Sequence, residues 1–402
     1  MALSGELRAF RPEGEAPAAP FAARAAADAP AVRAVDEILQ AAAGARASDV
    51  HLEPTVAGGR IRERIDGVLR EAGNLPESLY ARVLSRIKLL SGMDISDRRL
   101  PQDGRYSVEY AGRTIDARVS SMPTIDGERV VVRLLDVGAR IPTLEEIGLE
   151  PRPAAAYRRV MHAPSGFVVI CGPTGSGKTT TAYASLAERN VPEQHLCSVE
   201  DPVEVRIPGV AQVSLNLRAG LTFASAMRGF LRQDPNVIMI GELRDAEAAA
   251  IAGTAALCGS LIVTTLHSAS AVGAIERLLE LEMPARRIAA GLSAVVAQRL
   301  MRRLCNDCKV QAVDPGGSNH AAIFEPRGCE RCGGCGYRGR CAAFDVLVID
   351  DELRSAIGAG QTTAQLNAIR GAKTAIRSAA QRLVERGETS VEEFSRVIGT
   401  VE

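Results

Sequence analysis

Apolar residues recur at helical spacing in two places near the start of the chain: Val35, Ile38 and Leu39, then more clearly Leu79, Val83, Ile87 and Leu90. Recurrence every three or four residues predicts amphipathic helices. Between and after them the period shortens to two. Arg60 to Ile65 ends at an Asp66-Gly67 turn, Tyr106 to Tyr110 ends near Ala111-Gly112, and Thr114 to Ser120 alternates strictly, so each is expected to be a strand. Ile115, Ala117 and Val119 then share one face and leave Arg118 on the polar one. In the next strand Arg129 and Arg133 lie opposite Val130, Val132 and Leu134. The simplest reading of such arginines is a solvated sheet face. Residues 31–138 thus read as a small α+β domain, with a linker containing glycine and proline from Val137 to Pro142.

Beyond the linker the pattern changes. Phe167 to Cys171, Leu196 to Val199, Val237 to Ile240 and Leu261 to Thr265 are short apolar runs separated by helix-favouring segments. That alternation predicts an α/β domain, a mostly parallel sheet covered by helices, over residues 139–304. A cysteine-rich segment, 305–345, and amphipathic helices, 346–402, complete the chain. Residues 1–30 are dominated by Ala, Pro, Glu and Arg with almost no large apolar residues, so a flexible tail is expected there.

A chain of 402 residues has room for two or three domains. Its 48 basic and 48 acidic residues balance, which removes the positive footprint of a nucleic-acid binder and argues against a helicase or packaging motor. No apolar run approaches the roughly 20 residues that span a bilayer, and no basic-then-apolar signal opens the chain. A cytoplasmic protein is expected, reaching any membrane through partners. Nine cysteines in such a setting suggest metal ligands or buried thiols before disulfides. Cys171, Cys197 and Cys258 flank or occupy apolar segments and read as packing residues.

The chemistry concentrates at the ends of the apolar runs. After Phe167-Cys171 the chain reads Gly172-Pro173-Thr174-Gly175-Ser176-Gly177-Lys178-Thr179-Thr180 and enters a helix-favouring stretch. Glycines let backbone N–H groups curl around phosphates, the helix N-terminus adds positive dipole, Lys178 can reach the β- and γ-phosphates, and Thr179 can offer its hydroxyl to Mg²⁺. ATP binding and hydrolysis are therefore expected. The run Val237-Ile240 delivers Glu242 at its C-terminal end, where ligands bind in α/β sheets, and makes it the candidate catalytic carboxylate. Gly241 stands where many phosphate-loop enzymes place an Asp, so metal support must come from elsewhere. Glu200-Asp201, ending another run, could hold metal-bound water, and Glu200 is a second catalytic candidate. His267, ending a third, could sense the γ-phosphate, although a lone histidine is more often structural.

In one order along the chain come Ser48-Asp49-Val50-His51-Leu52-Glu53-Pro54, Leu100-Pro101-Gln102-Asp103-Gly104-Arg105, the phosphate loop, Glu200-Asp201-Pro202-Val203-Glu204, Leu231-Arg232-Gln233-Asp234-Pro235 running into Gly241-Glu242, and Thr264-Thr265-Leu266-His267. This series resembles the type II secretion ATPases and the related type IV pilus extension ATPases, over roughly residues 31–402. The resemblance implies a PAS-like N-terminal domain, a RecA-like ATPase domain, a homo-hexameric ring, a functional His267 and inner-membrane platform proteins as partners, with the protein peripheral to that membrane. It further implies that Arg118 and Arg133 reach the γ-phosphate on a neighbouring subunit, with Arg228, Arg232 and Arg244 lining the nucleotide site or the subunit interface. Type II secretion ATPases commonly carry an additional N-terminal domain ahead of this core, where this chain has about thirty residues.

Cys305-x-x-Cys308 and Cys329-x-x-Cys332, twenty residues apart, suit a four-thiolate structural zinc with no open position for catalysis. Cys332 and Cys335 share the same spacing, and the family pattern favours Cys329 with Cys332. Secretion by ATP-driven pseudopilus assembly is the function implied, with pilus extension as the nearest alternative. A nucleic-acid translocase on the same fold is disfavoured by the charge balance, and an ATP-holding regulator by the intact Lys178, Thr179 and Glu242.

Overall fold

A computed structural model describes residues 9–10, 22–136, 138, 140–312, 323–371 and 375–399, with side chains from Pro30 onward. The chain divides into two compact units, residues 1–139 and 140–402. Most of the expected tail, residues 1–8 and 11–21, lies outside the described residues.

In the first unit, strand β1 (Ala9–Phe10) precedes helix α1 (Ala22–Gly44). This helix begins at Ala22, well before Val35, the first apolar position that predicted it, through an alanine-rich stretch of the best helix former. Strands β2 (Asp49–Thr55), β3 (Gly58–Ile65) and β4 (Val68–Pro76) follow, then α2 (Glu77–Leu90), β5 (Gln102–Tyr110), β6 (Arg113–Thr124) and β7 (Gly127–Asp136). They make one antiparallel sheet in the order β1-β5-β6-β7-β2-β3-β4. One face is dry: Val50, Leu52, Ala117, Val119, Val130 and Val132 meet Val35 and Leu39 of α1 and Val83 and Ile87 of α2. A Cβ at Gly59 would fall 1.9 Å from the Tyr80 ring, so only glycine lets α2 lie this close to β3. Lys88, wholly buried, donates to Asp97 O at 2.6 Å and to Glu128 Oε1 at 2.8 Å, tying α2 to β7.

The second unit opens with α3 (Pro151–Met161), β8 (Gly166–Cys171), α4 (Lys178–Arg189), β9 (Leu196–Glu200), β10 (Val210–Ser214) and α5 (Phe223–Phe230). It continues with β11 (Val237–Ile240), α6 (Ala246–Leu257), β12 (Leu261–Leu266), α7 (Ala271–Glu280), α8 (Ala285–Gly291) and β13 (Leu292–Leu304). The sheet order is β10-β9-β11-β12-β8-β13-β16, parallel except for the last pair, with β16 at Tyr337–Val348. Both faces are covered. Val168, Ile170 and Val263 pack with Tyr157, Met161 and Leu186 on one side; Val169, Ile240 and Ile262 pack with Met227, Ala252 and Ile275 on the other. Parallel strands buried on two faces have no polar side to show, which is why they read as continuous apolar runs.

The long antiparallel pair β13–β16 was not expected. Its ladder runs from Ala294 opposite Val348 to Leu304 opposite Tyr337, so the cysteine-rich segment is the tip of a hairpin belonging to the main sheet. The boundary expected at 345 falls inside β16 for that reason. Short strands β14 (Val310–Ala312) and β15 (Ile323–Glu325) pair within the tip, and residues 313–322 between them lie outside the described residues. Helices α9 (Asp351–Gly358), α10 (Thr363–Arg370), α11 (Ala375–Glu385) and α12 (Val391–Ile398) follow. Glu393 of α12, fully buried, accepts from Arg302 Nε at 2.9 Å and pins the last helix against β13.

Candidate functional site

Four neighbouring parallel strands end on one edge of the second sheet, and each delivers one expected residue there. After β8 the chain makes the loop Gly172–Gly177, with Gly175 at φ 75° and Gly177 at φ 86°. These left-handed positions favour glycine and turn the loop into the N-terminus of α4, where free N–H groups and the helix dipole attract phosphate. Lys178 Nζ folds back over the mouth of the loop, donating to Gly172 O at 3.0 Å and Pro173 O at 3.1 Å. Its pKa is lowered, first by burial, against the pull of Glu242. Thr179 follows in the first turn of α4.

From Lys178 a polar chain crosses the strand ends. Lys178 Nζ lies 3.5 Å from His267 Nδ1, and His267 Nε2 lies 3.0 Å from Glu242 Oε1. Arg244 Nε donates to Glu242 Oε2 at 2.8 Å, and Arg244 NH1 to Asp201 Oδ2 at 3.0 Å. The His267, Arg244 and Asp201 side chains are roughly half exposed, so the row is open to a ligand from solution. The backbone beneath it is fixed. Thr264 and Thr265 hydroxyls on β12 donate to Ile240 O and Gly241 O at 3.0 and 2.6 Å, locking the end of β11 to the end of β12. Glu242 and His267 therefore keep their spacing without depending on exposed loops.

Glu200 is placed differently from its expected role. It is buried, and its carboxylate accepts from the Tyr183 hydroxyl, from Ser198 Oγ at 2.5 Å and from Gln212 Nε2 at 3.2 Å. With these donors on it, Glu200 anchors the turn that presents Asp201. Tyr183, one helical turn beyond Thr179, also receives the Glu204 N–H at 3.2 Å. A polar ring on the buried side of a helix entering from a phosphate loop was the signal for it in the sequence. Gln298 of β13 is another residue the motifs did not mark: its buried side chain donates to Ser176 O at 2.6 Å. Its signal was an amide interrupting an apolar strand.

Arg118 and Arg133 lie on the polar face of the first unit's sheet, as the alternation required. Arg105, Arg118 and Arg133 are successive cross-strand neighbours, and Arg133 is opposite Asp49, itself opposite Arg64. Arg133 Nε donates to the buried Asp49 at 2.9 Å; Arg118 lies 3.6 Å from Asp116. Beside this row, Glu53 accepts from Arg60 Nε at 3.2 Å and from Arg62 at 2.6 Å, and forms an ion pair with Arg129 at 2.8 Å. Burial alone would raise the Glu53 pKa, but the Arg62 and Arg60 hydrogen bonds outweigh it and hold the carboxyl below its usual range. In the second unit Arg228 pairs with Glu247 at 2.6 Å, and Arg232 donates to Arg228 O at 2.8 Å.

The four cysteine sulfurs of 305, 308, 329 and 332 all lie within 4.8 Å of one another. Three of their separations, 3.9 Å (305–329), 3.8 Å (308–332) and 3.7 Å (329–332), match the edge of about 3.8 Å that a tetrahedron with a Zn–S bond of about 2.3 Å requires. The residues fit zinc. Burial opposes ionisation of Cys332, yet the N–H groups of Cys329 and Gly336 aimed at its sulfur bring its pKa down to about 6. Cys335 turns away, its sulfur 2.9 Å from Cys332 O and 3.1 Å from Tyr337 O.

The family model described as type II/IV secretion system protein matches residues 24–396. Type II secretion system protein HxcR of Pseudomonas aeruginosa is 43% identical over 371 residues, 92% of this chain and 77% of that protein. Type IV pilus assembly ATPase PilB of Thermus thermophilus is 43% identical over 354 residues, 85% of this chain and 40% of that protein. Type II secretion system ATPase E of Vibrio cholerae is 40% identical over 381 residues, 92% and 76% of the two. Among solved structures, the Legionella pneumophila ATPase DotB superposes with a TM-score of 0.67 at 21% identity, covering 90% of this chain and 95% of that one. The pilus retraction motor PilT with bound ADP gives 0.63 at 22%, covering 91% and 96%, which shows the shared fold.

Proposed function

The chain belongs to the type II/IV secretion system protein family, and we propose that it is the ATPase motor of a type II secretion system, driving pseudopilus assembly and protein export at an inner-membrane platform. The observation that carries this reading is the row Lys178, His267, Glu242, Arg244, Asp201 laid across the mouth of the phosphate loop. Lys178 exchanges its two loop carbonyls for the β- and γ-phosphates when ATP enters. Glu242 polarises the attacking water, and His267, touching both Lys178 and Glu242, reports the γ-phosphate to the base. Thr179 would hold Mg²⁺ through its hydroxyl, a hard oxygen donor of the kind that ion takes; the ion neutralises phosphate charge when bound. Glu200 positions Asp201.

Among the described residues no helix is long and apolar enough to cross a membrane, so membrane work is assigned to platform proteins met by a homo-hexamer in the cytoplasm. The first unit serves as the PAS-like module, and Arg118 and Arg133 act on a neighbour's nucleotide. Support for this comes from the arginine row Arg105, Arg118 and Arg133 running across neighbouring strands, with Arg133 and Arg64 on either side of Asp49. A pilus extension motor is the second reading, favoured by the PilB relative. Pull-down from native membranes separates the two: co-purifying secretion platform and pseudopilin subunits support the first reading, and pilus subunits overturn it. Mixing Arg118→Ala with Glu242→Gln should restore part of the ATPase activity, because a mixed ring can pair an intact Arg118 with an intact Glu242 in the next subunit. Mixed rings that form and stay inactive at every ratio would remove the trans role.

A further inference from the structure

Strand β13 passes directly behind the phosphate loop. Its last ladder pair with β8 is Ala297 with Cys171, so Gln298 comes next on one strand as Gly172 does on the other. The approach is close: a Cβ at Gly172 would lie 2.7 Å from Gln298 O, and one at Gly177 would lie 3.3 Å from Gln298 Nε2. From this position the buried amide donates to Ser176 O at 2.6 Å. Arg299 follows with its side chain on the opposite side of the strand. Its NH2 donates to Ala269 O at 2.7 Å, two residues past His267, and its NH1 to Gln298 O at 2.9 Å.

One dipeptide thus holds two separate loops by their carbonyls. Polar groups are costly in such a place: Gln298 Oε1 and Ser176 Oγ are buried without a protein partner, and an apolar pair of similar shape would avoid that cost. Neither Gln298 nor Arg299 adds a sulfur, carboxylate or other group to the row at the loop mouth. What they fix is the separation of the loop bearing Lys178 from the segment bearing His267, which face each other at 3.5 Å.

We infer that Gln298 and Arg299 are positioning residues for ATP hydrolysis, using β13 as a common brace for the phosphate loop and the segment after His267. This rests on the ATPase reading above. The amide keeps the Ser176 carbonyl turned back into the fold, so the loop N–H groups stay aimed at the phosphates; the guanidinium keeps His267 at its distance. Loss of either lets the two loops move apart, and misplacement by about an ångström can lower a rate about 100-fold.

The test uses the full-length chain carrying Gln298→Met, which keeps size and removes the donor, and Arg299→Met and Arg299→Lys. Gln298→Met should lower kcat about 10- to 100-fold while the affinity for a fluorescent ADP analogue stays within about three-fold, since ground-state binding is shared by many loop N–H groups. Hydrogen exchange should quicken at residues 174–179 and stay unchanged at 237–240 in β11. Arg299→Met should do the same at residues 267–270, with Arg299→Lys intermediate. A kcat within about two-fold of wild type, or exchange that quickens evenly through the second sheet, overturns the proposal, the latter by making Gln298 part of general packing only. Should Gln298→Met fail to fold, the Arg299 pair decides by the same measurements. Wild-type rings that bind but never turn over ATP would sink the ATPase reading, while the exchange pattern still decides whether the brace exists.

Discussion

The two sheets of this protein carry their polar groups in opposite ways. In the second unit the four central strands β8, β9, β11 and β12 are buried on both faces, and charge is admitted only where they end, one residue from each of the four neighbours. In the first unit charge lies along the strands, on the face opposite the core, where Glu53 is met by three arginines and Asp49 by two. Concentration at strand ends makes single groups indispensable. Distribution over a sheet face makes them share their load, and the difference should appear directly in the sizes of mutational effects.

The largest effect is expected at the tip of the β13–β16 hairpin, where four cysteine sulfurs are spaced to hold one ion. Zinc in small tetracysteine and related peptides stabilises by roughly 10–16 kcal/mol, so Cys308→Ser should lose the metal and unfold the tip, read as zinc content per chain and proteolysis between 305 and 336. Cys335→Ser should keep about one zinc per chain, because that sulfur is turned toward two backbone carbonyls. Zinc lost from Cys335→Ser and kept by Cys308→Ser would break the assignment.

Next in size is Lys178→Ala. Removing the Lys178 ammonium from the loop mouth should weaken nucleotide binding and lower kcat/KM by about 100-fold or more, about 3 kcal/mol at the transition state. The first unit's hydrogen exchange should not change. An affinity for ATP within about two-fold of wild type would contradict the concentrated picture.

Glu53→Gln is expected to be milder, about 1–2 kcal/mol, since its arginines are partly exposed and solvent screens them. The sign of its pH dependence follows from the lowered pKa. Ionised Glu53 contributes stability that is complete above its unfolded value, near 4.5, and is lost as pH falls through the lower folded value. Wild type and Glu53→Gln should therefore differ most in melting temperature at neutral pH and converge as the pH falls through the lowered folded value. A gap that widens on acidification would show that Glu53 is held neutral in the fold.

What could be read in the sequence divides along the same line. Strand-end chemistry is local: Gly172 to Thr179, Glu242 and His267 each sit directly beside the apolar run that places them, and their motifs are visible without knowing which strands are neighbours. Sheet-face chemistry needs register. That Arg133 stands opposite Asp49, 84 residues away, follows only from the pairing of β7 with β2. The β13–β16 hairpin was hidden because Leu292 to Leu304 contains helix formers and ends in Arg302-Arg303, and tertiary pairing overrides that preference. Glu200 was legible as a carboxylate at a strand end, but its burial under Tyr183, Ser198 and Gln212 depends on how α4 and β10 pack against β9.

The central claim, that one carboxylate at the end of β11 drives ATP hydrolysis, is tested most directly by single-turnover measurement on assembled Glu242→Gln. The amide keeps the shape of Glu242 and cannot polarise water, so ATP should bind with nearly wild-type affinity while the hydrolysis step slows about 10²- to 10⁴-fold. Cleavage of bound ATP at a rate close to wild type would contradict the account.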